Sequence, residues 1–163
     1  MEAGGDDAGR AAAARVARLA ARDPLMRLLG IEGAAGGPGR AVVSLTVGDH
    51  HLNFNGTCHG GVTFALADAA FGLASNSHGV IAAAIDAHIT YQVAVKPGDT
   101  LTATAVEASR TRKLGVYRID VTRGDGALVS TFTGTVYVTD RPNEPQAEVR
   151  RPASPSPPRR RRS

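Results

Sequence analysis

From Gly61 to about Asn76 the chain reads as one helix that is apolar nearly all round. A surface helix shows an apolar stripe and a polar face; a helix without a polar face has to be covered on most sides. Four strand-like segments follow it: Ala82 to Val95, Thr100 to Ser109, Leu114 to Thr122 and Ala127 to Val138. In the first, Ile85, Ala87, Ile89, Tyr91 and Val93 alternate with Asp86, His88, Thr90 and Gln92. In the third, Tyr117, Ile119 and Val121 fall on one side. Lys96-Pro97-Gly98-Asp99 and Gly124-Asp125-Gly126 are turn signals between them. A further strand is expected at Arg40 to Val47, after a turn at Gly33 to Gly39 and before a polar loop at Gly48 to Cys58. The pattern predicts an α+β domain in which a curved antiparallel sheet wraps a central buried helix.

The flanks differ from this domain. Residues 1–9 are rich in Gly and Asp, and Ala11 to Arg22 is a run of strong helix formers that Asp23-Pro24 stops. The expected organisation is a flexible N-terminal segment and helix over 1–22, the domain over 23–140, and a disordered Pro- and Arg-rich tail over 141–163. The tail holds seven Arg and two Glu, a charge of +5, so the other 140 residues sum to −1 against +4 for the whole chain. The basic isoelectric point of about 9.8 therefore belongs to the tail, and a nucleic-acid partner is not expected. No apolar stretch reaches the ~20 residues that cross a bilayer, so no membrane association is expected either. Cys58 is the single cysteine and permits no internal disulfide. With Glu2, Asp6 and Asp7 speaking against a transit peptide, a cytoplasmic location is expected.

The chemistry concentrates around the start of the central helix. Gly60 and Gly61 stand at its mouth, where backbone N–H groups lack partners and the helix dipole places partial positive charge. Glycine admits a ligand close to that backbone, and a carbonyl oxygen gaining negative charge would be stabilised there. The plainer reading is a tight loop-to-helix junction. Asp68 shifts the balance towards function: it is the only acid between Gly60 and Ile85, and no Lys or Arg lies within two turns. A carboxylate among apolar residues is costly unless it has a task. Gly60 and Asp68 are eight residues apart, about 12 Å along a helix. One reacting carbonyl cannot reach both in the same chain, so the pair predicts an active site shared between two subunits.

The stretch Leu52-Asn53 … Gly56-Thr57-Cys58-His59-Gly60-Gly61 … Phe64-Ala65-Leu66-Ala67-Asp68 … Phe71 … Ser75-Asn76-Ser77 … Gly79 resembles the hotdog-fold acyl-CoA thioesterases of the phenylacetic acid degradation type. So do Asp23-Pro24 … Leu28-Leu29-Gly30-Ile31 and Ile89-Thr90-Tyr91-Gln92 … Lys96-Pro97-Gly98-Asp99-Thr100-Leu101-Thr102-Ala103. The resemblance runs from about Asp23 to Val138. It implies that Asp68 is the catalytic carboxylate, as general base or nucleophile, and that the N–H of Gly60 or Gly61 polarises the thioester carbonyl. It implies that Asn53 helps place water or thioester and that His59 orients the loop. It also implies dimers that pair into tetramers, and no cofactor, coenzyme A being part of the substrate. The substrate is expected to be an aromatic or medium-sized acyl-CoA.

Phe64, Phe71 and Tyr91 are candidate walls of the acyl pocket. Arg110, Arg112 and Lys113, three cations in four residues, are candidates for the phosphates of coenzyme A, or else a solvated hairpin tip. His50-His51 has no metal-ligand spacing, so no metal is expected there; His88 reads as a sheet-face residue and Cys58 as a small packed side chain. Two rival functions fit the same frame: a hotdog dehydratase or hydratase that recruits His59, and a non-catalytic acyl-CoA-binding protein to which the Arg-rich tail would lend an interaction role.

Overall fold

The structure, a computed structural model, describes residues 3–143. Six strands form one antiparallel sheet: β1 (Glu32–Gly37), β2 (Arg40–Thr46), β3 (Val80–Tyr91), β4 (Thr100–Arg110), β5 (Leu114–Arg123) and β6 (Leu128–Pro142), in the order β1-β2-β4-β5-β6-β3. Three helices accompany it: α1 (Ala3–Ala21), α2 (Pro24–Leu29) and α3 (Gly60–Asn76). The hotdog architecture read from the sequence is the one observed, and α3 is the helix that the sheet wraps. Leu66, Ala67, Ala70, Phe71 and Ala74 of α3 are buried against Val43 and Leu45 of β2, Leu101 and Ala103 of β4, Tyr117 and Ile119 of β5, and Phe132 of β6.

With few aromatic residues, the core relies on one aromatic knot. The Phe71 ring lies 5.6 Å from both Tyr117 and Phe132, and Phe64 meets Phe132 edge-on at 5.3 Å. The knot fits because β6 carries Gly134 beneath it; a Cβ there would sit 2.6 Å from the Phe71 ring.

Several boundaries differ from the sequence reading. The expected turn at Gly33 to Gly39 is mostly strand: β1 pairs with β2 across a bulge between Glu32 and Ala35, and only Pro38-Gly39 turns. A Gly- and Ala-rich segment carries little strand propensity, and pairing with β2 under α1 overrides it. α1 begins near Ala3, and its Ala12 and Val16 are buried. The polar loop before α3 contains a short 3-10 turn, Asp49–His51. β6 continues through Arg141 and Pro142, so the ordered domain runs past residue 140; the rest of the tail, 144–163, lies outside the described residues.

β3 is the least protected element. One edge pairs with β6, and the other has no partner strand among the described residues. Residues 83–88 are exposed on both sides, Ile85 at 60%, so the alternation read from the sequence does not sort them into inner and outer faces. A register irregularity between Ala84 and Asp86 adds to this. Among the described residues no helix is long and apolar enough to cross a membrane.

Candidate active site

α3 is capped by the residue that precedes its glycine pair. His59 is extended (φ −63°, ψ 132°), and its Nδ1 accepts the Gly61 N–H at 2.9 Å. Its main-chain oxygen accepts Val62 N–H at 2.9 Å and Thr63 N–H at 3.4 Å. Of the two candidate donors, Gly61 is therefore already committed to its own cap. The Gly60 N–H has no acceptor among the described residues and remains the donor at the helix mouth. His59 thus caps the helix that carries the glycine pair. Tyr91, at the end of β3, donates its hydroxyl to the Gly60 carbonyl at 3.0 Å, and a Cβ on Gly60 would lie 3.2 Å from the Tyr91 ring. Tyr91 holds the glycine in place as well as walling the space beside it.

The loop leading to this mouth is tied internally. The Asn53 side-chain oxygen accepts the N–H groups of Asn55 (2.8 Å) and Thr57 (3.3 Å), and its amide donates to the Thr57 hydroxyl at 3.1 Å. This Asn-centred turn leaves one amide hydrogen of Asn53 for other use. His51 is buried; its Nδ1 accepts Gly48 N–H, and its other ring nitrogen is 3.0 Å from the Leu29 carbonyl oxygen. Burial and the neighbouring His50 push its pKa down. It joins the loop to the end of α2. Cys58 is buried against Thr63, and burial raises its pKa, which describes an unreactive thiol.

α3 does have one open side. Gly61, Asp68 and Gly72 are exposed in the single chain, with Ala65 and Ala69 half-buried between them. Ala65, Ala69 and Gly72 floor a cleft of about 660 Å³ that Leu25, Met26 and Ile31 wall from the α2 side. Asp68 opens into it. Although its side chain is exposed by area, the apolar surroundings desolvate the carboxyl and raise its pKa above the ordinary carboxylate value. The second cause is Asp23, which lines the same cleft. Asp23 is held there as the N-cap of α2, accepting Leu25 N–H at 2.9 Å and Met26 N–H at 3.1 Å. Asp23-Pro24 was legible as a helix boundary; its carboxylate sharing a cleft with Asp68 was not, because that neighbourhood joins two elements distant in sequence.

Gly60 lines a different cleft, of about 260 Å³, with Thr63 and Tyr91. In one chain, then, the acid and the helix mouth face separate spaces. The other candidates are scattered. Phe71 is a correction: at 1% exposure it belongs to the core knot and not to a pocket wall, because its position on α3 points into the sheet. Phe64, half-buried, packs on Phe132 and lines neither cleft. Arg110 lies 3.2 Å from the Tyr117 hydroxyl and 3.6 Å from Glu107, which also bonds His78. Lys113 pairs with Asp140 at 3.1 Å and lies over the Tyr137 ring. Arg112 is exposed. The hairpin carrying them lies towards the C-terminal end of α3, near His78, and lines neither cleft.

The family model described as the thioesterase superfamily matches residues 55–130, from the Asn53 loop through β5 into β6. The acyl-coenzyme A thioesterase PaaI of Escherichia coli is 39% identical over 112 residues, which cover 69% of this chain and 80% of that protein. Its structure superposes with a TM-score of 0.80 at 33% identity, covering 83% of this chain and 98% of the other. A relative from Archaeoglobus fulgidus is 44% identical over 99 residues, 61% of this chain; the match spans 64% of that relative's length. A Streptococcus mutans protein solved with acetyl-CoA bound superposes with a TM-score of 0.65 at 32% identity, over 68% of this chain and 92% of that one. Sequence, fold and the His59–Asp68 motif agree: the chain belongs to the thioesterase superfamily, among the hotdog-fold acyl-CoA thioesterases of the PaaI type.

Proposed function

We propose that the protein hydrolyses acyl-CoA thioesters, with aromatic acyl groups of phenylacetyl size among its substrates, at sites shared between two copies of the chain. The observation that carries this is that one helix bears both Asp68, a carboxylate with a raised pKa in a cleft with apolar walls, and Gly60, an N–H at its mouth uncommitted among the described residues. Asp68 acts as general base: it takes a proton from water as the water oxygen attacks the thioester carbonyl. The oxygen of the tetrahedral intermediate accepts the Gly60 N–H, with the α3 dipole behind it. The intermediate collapses, the C–S bond breaks, and the coenzyme A thiolate leaves with the proton that Asp68 held. Desolvation makes the Asp68 carboxylate more basic than an ordinary one, which supports its use as a base.

The helical offset between Gly60 and Asp68, and their separate clefts, support a site in which a second chain brings the two together. The unpaired edge of β3, exposed from 83 to 88, offers the surface along which that chain would add its own β3 and continue the sheet. Pairing of such dimers into tetramers, and residence in the cytoplasm, where the lone buried Cys58 stays reduced, complete the reading. The cleft supports the acyl assignment: Ala65, Ala69 and Gly72 leave a flat floor, and Met26, Ile31 and Leu73 supply apolar walls.

The test is thiol release across a panel of acyl-CoAs, aromatic, straight-chain and short. Phenylacetyl- or hydroxyphenylacetyl-CoA should rank among the best substrates, and D68N should lower kcat by 10²- to 10⁴-fold or about that order, with KM little changed. Wild-type turnover in D68N, or binding of acyl-CoA without thiol release, would remove the hydrolytic assignment.

A further inference from the structure

The cleft at Asp68 continues beyond the reacting groups. Asp23 and Asp68 line one part of it, and Arg22 and Arg141 another. Among the described residues neither guanidinium forms an ion pair with either carboxylate, and the neighbouring charge felt by Asp68 is that of Asp23. The cleft therefore carries both signs of charge, with its two arginines unpaired to its two carboxylates. At Leu19, Arg22 and Asn143 it adjoins a second hollow of about 220 Å³, whose walls include Arg15 and Arg18. Arg15, Arg18 and Arg22 recur at intervals of three and four, so they share one face of α1 and its last turn over about 10 Å.

Arg15 is anchored, donating to the Ser77 carbonyl at 2.7 Å beside Gly79. The side chains of Arg18, Arg22 and Arg141 make no hydrogen bond or ion pair among the described residues. Like charges gathered around one opening repel unless an anion occupies it. Asn143 lies on the boundary between the two hollows. Its amide donates to the Asn76 carbonyl at 2.7 Å, while its Oδ1 is buried and lacks a donor among the described residues. The Asn143 side chain thus ties the end of β6 to the end of α3 at this boundary.

We infer that Arg18, Arg22 and Arg141 form a ledge that binds the phosphates of coenzyme A, with the amide-bearing pantetheine arm crossing the junction at Leu19 and Asn143 from Asp68. This rests on the thioesterase reading above and deepens it. Guanidinium forks match phosphate oxygens, and several unpaired arginines around adjoining hollows fit a polyanion better than a single carboxylate. The acyl group then occupies the apolar floor, and the coenzyme leaves over the basic rim. The β4–β5 hairpin, whose Arg110 and Lys113 already have partners, is not needed for this task.

The test is calorimetric titration of free coenzyme A and of phosphate-free pantetheine into the full chain and its R22Q/R141Q and R18Q/R22Q/R141Q variants. Coenzyme A should bind on the order of tenfold more weakly to the double variant, and weaker still to the triple. Pantetheine affinity should not change, and the wild-type affinity for coenzyme A should fall more steeply with salt than that of the variants. R22K/R141K, which keeps the charges, should recover part of the loss and guards against a folding defect in the glutamine variants. Equal coenzyme A affinity in all forms, or an equal loss with pantetheine, overturns the ledge. Because the readout is binding, failure of thioester cleavage would remove the proposed hydrolysis and leave this result standing.

Discussion

At the scale of single residues, the site depends on which polar atoms are already engaged. Gly60 and Gly61 are indistinguishable as letters, and the His59 cap separates them by occupying the second N–H. Replacing Gly60 with proline tests this directly. Proline suits the first position of a helix, and His59 is already extended as a residue before proline must be. Tyr91, 53% exposed, can shift the few tenths of an ångström that the ring requires. G60P should stay folded, since it removes only the uncommitted N–H, and kcat should fall by about 10²- to 10³-fold. Circular dichroism with steady-state kinetics checks both halves. Asp68 gives a second prediction. Folding raises its pKa, so the ionised form costs stability above the raised value, and the cost vanishes below the ordinary carboxylate range. D68N should therefore melt higher than wild type near neutrality, with the gap closing as pH falls below about 4. The acid limb of the wild-type kcat/KM profile should likewise sit above the ordinary Asp value. A melting temperature for D68N equal to wild type at all pH values would mean that the cleft does not desolvate the acid.

At the scale of elements, α3 and β6 are fitted to one another. The Phe71 ring sits where a β6 side chain would otherwise be, with Tyr117 and Phe132 closing it in. G134A introduces a methyl group 2.6 Å from that ring, a clash with a fully buried aromatic that has nowhere to turn. It should cost on the order of 1–3 kcal/mol, read from denaturant unfolding. The same fit explains why Phe71 looked like a pocket residue. It lies three positions after Asp68, and on a helix taken as apolar all round no face could be assigned from the letters. The real helix has a narrow open stripe at Gly61, Ala65, Asp68 and Gly72, spaced by four, three and four. Small residues at these intervals are the signal of that stripe, and it is hidden because alanine and glycine are apolar yet cover little surface.

At the scale of the whole molecule, the shared-site reading makes a claim that no single-chain experiment can meet. D68N and G60P each disable every site of their own homodimers. When the two are mixed under conditions that exchange subunits, half the dimers are hybrids, and each hybrid regains one intact site from the unmutated Asp68 of one chain and Gly60 of the other. The mixture should recover roughly a quarter of wild-type turnover. Recovery absent after verified exchange would place both groups in one chain and break the geometric argument.

What the letters determined by themselves is whatever depends on local periodicity and on the neighbours of a residue in the chain. That covers the buried helix, the strands from β2 to β6, the turn at Gly124-Asp125-Gly126 and the isolation of Asp68 among apolar residues. Tertiary structure alone decided β1, the burial of Phe71, the cleft that Asp23 shares with Asp68, the hydroxyl of Tyr91 on Gly60 and the gathering of Arg22 with Arg141. Each of these joins groups distant along the chain, and such contacts follow from how faces pack, which side-chain spacing within one segment cannot specify.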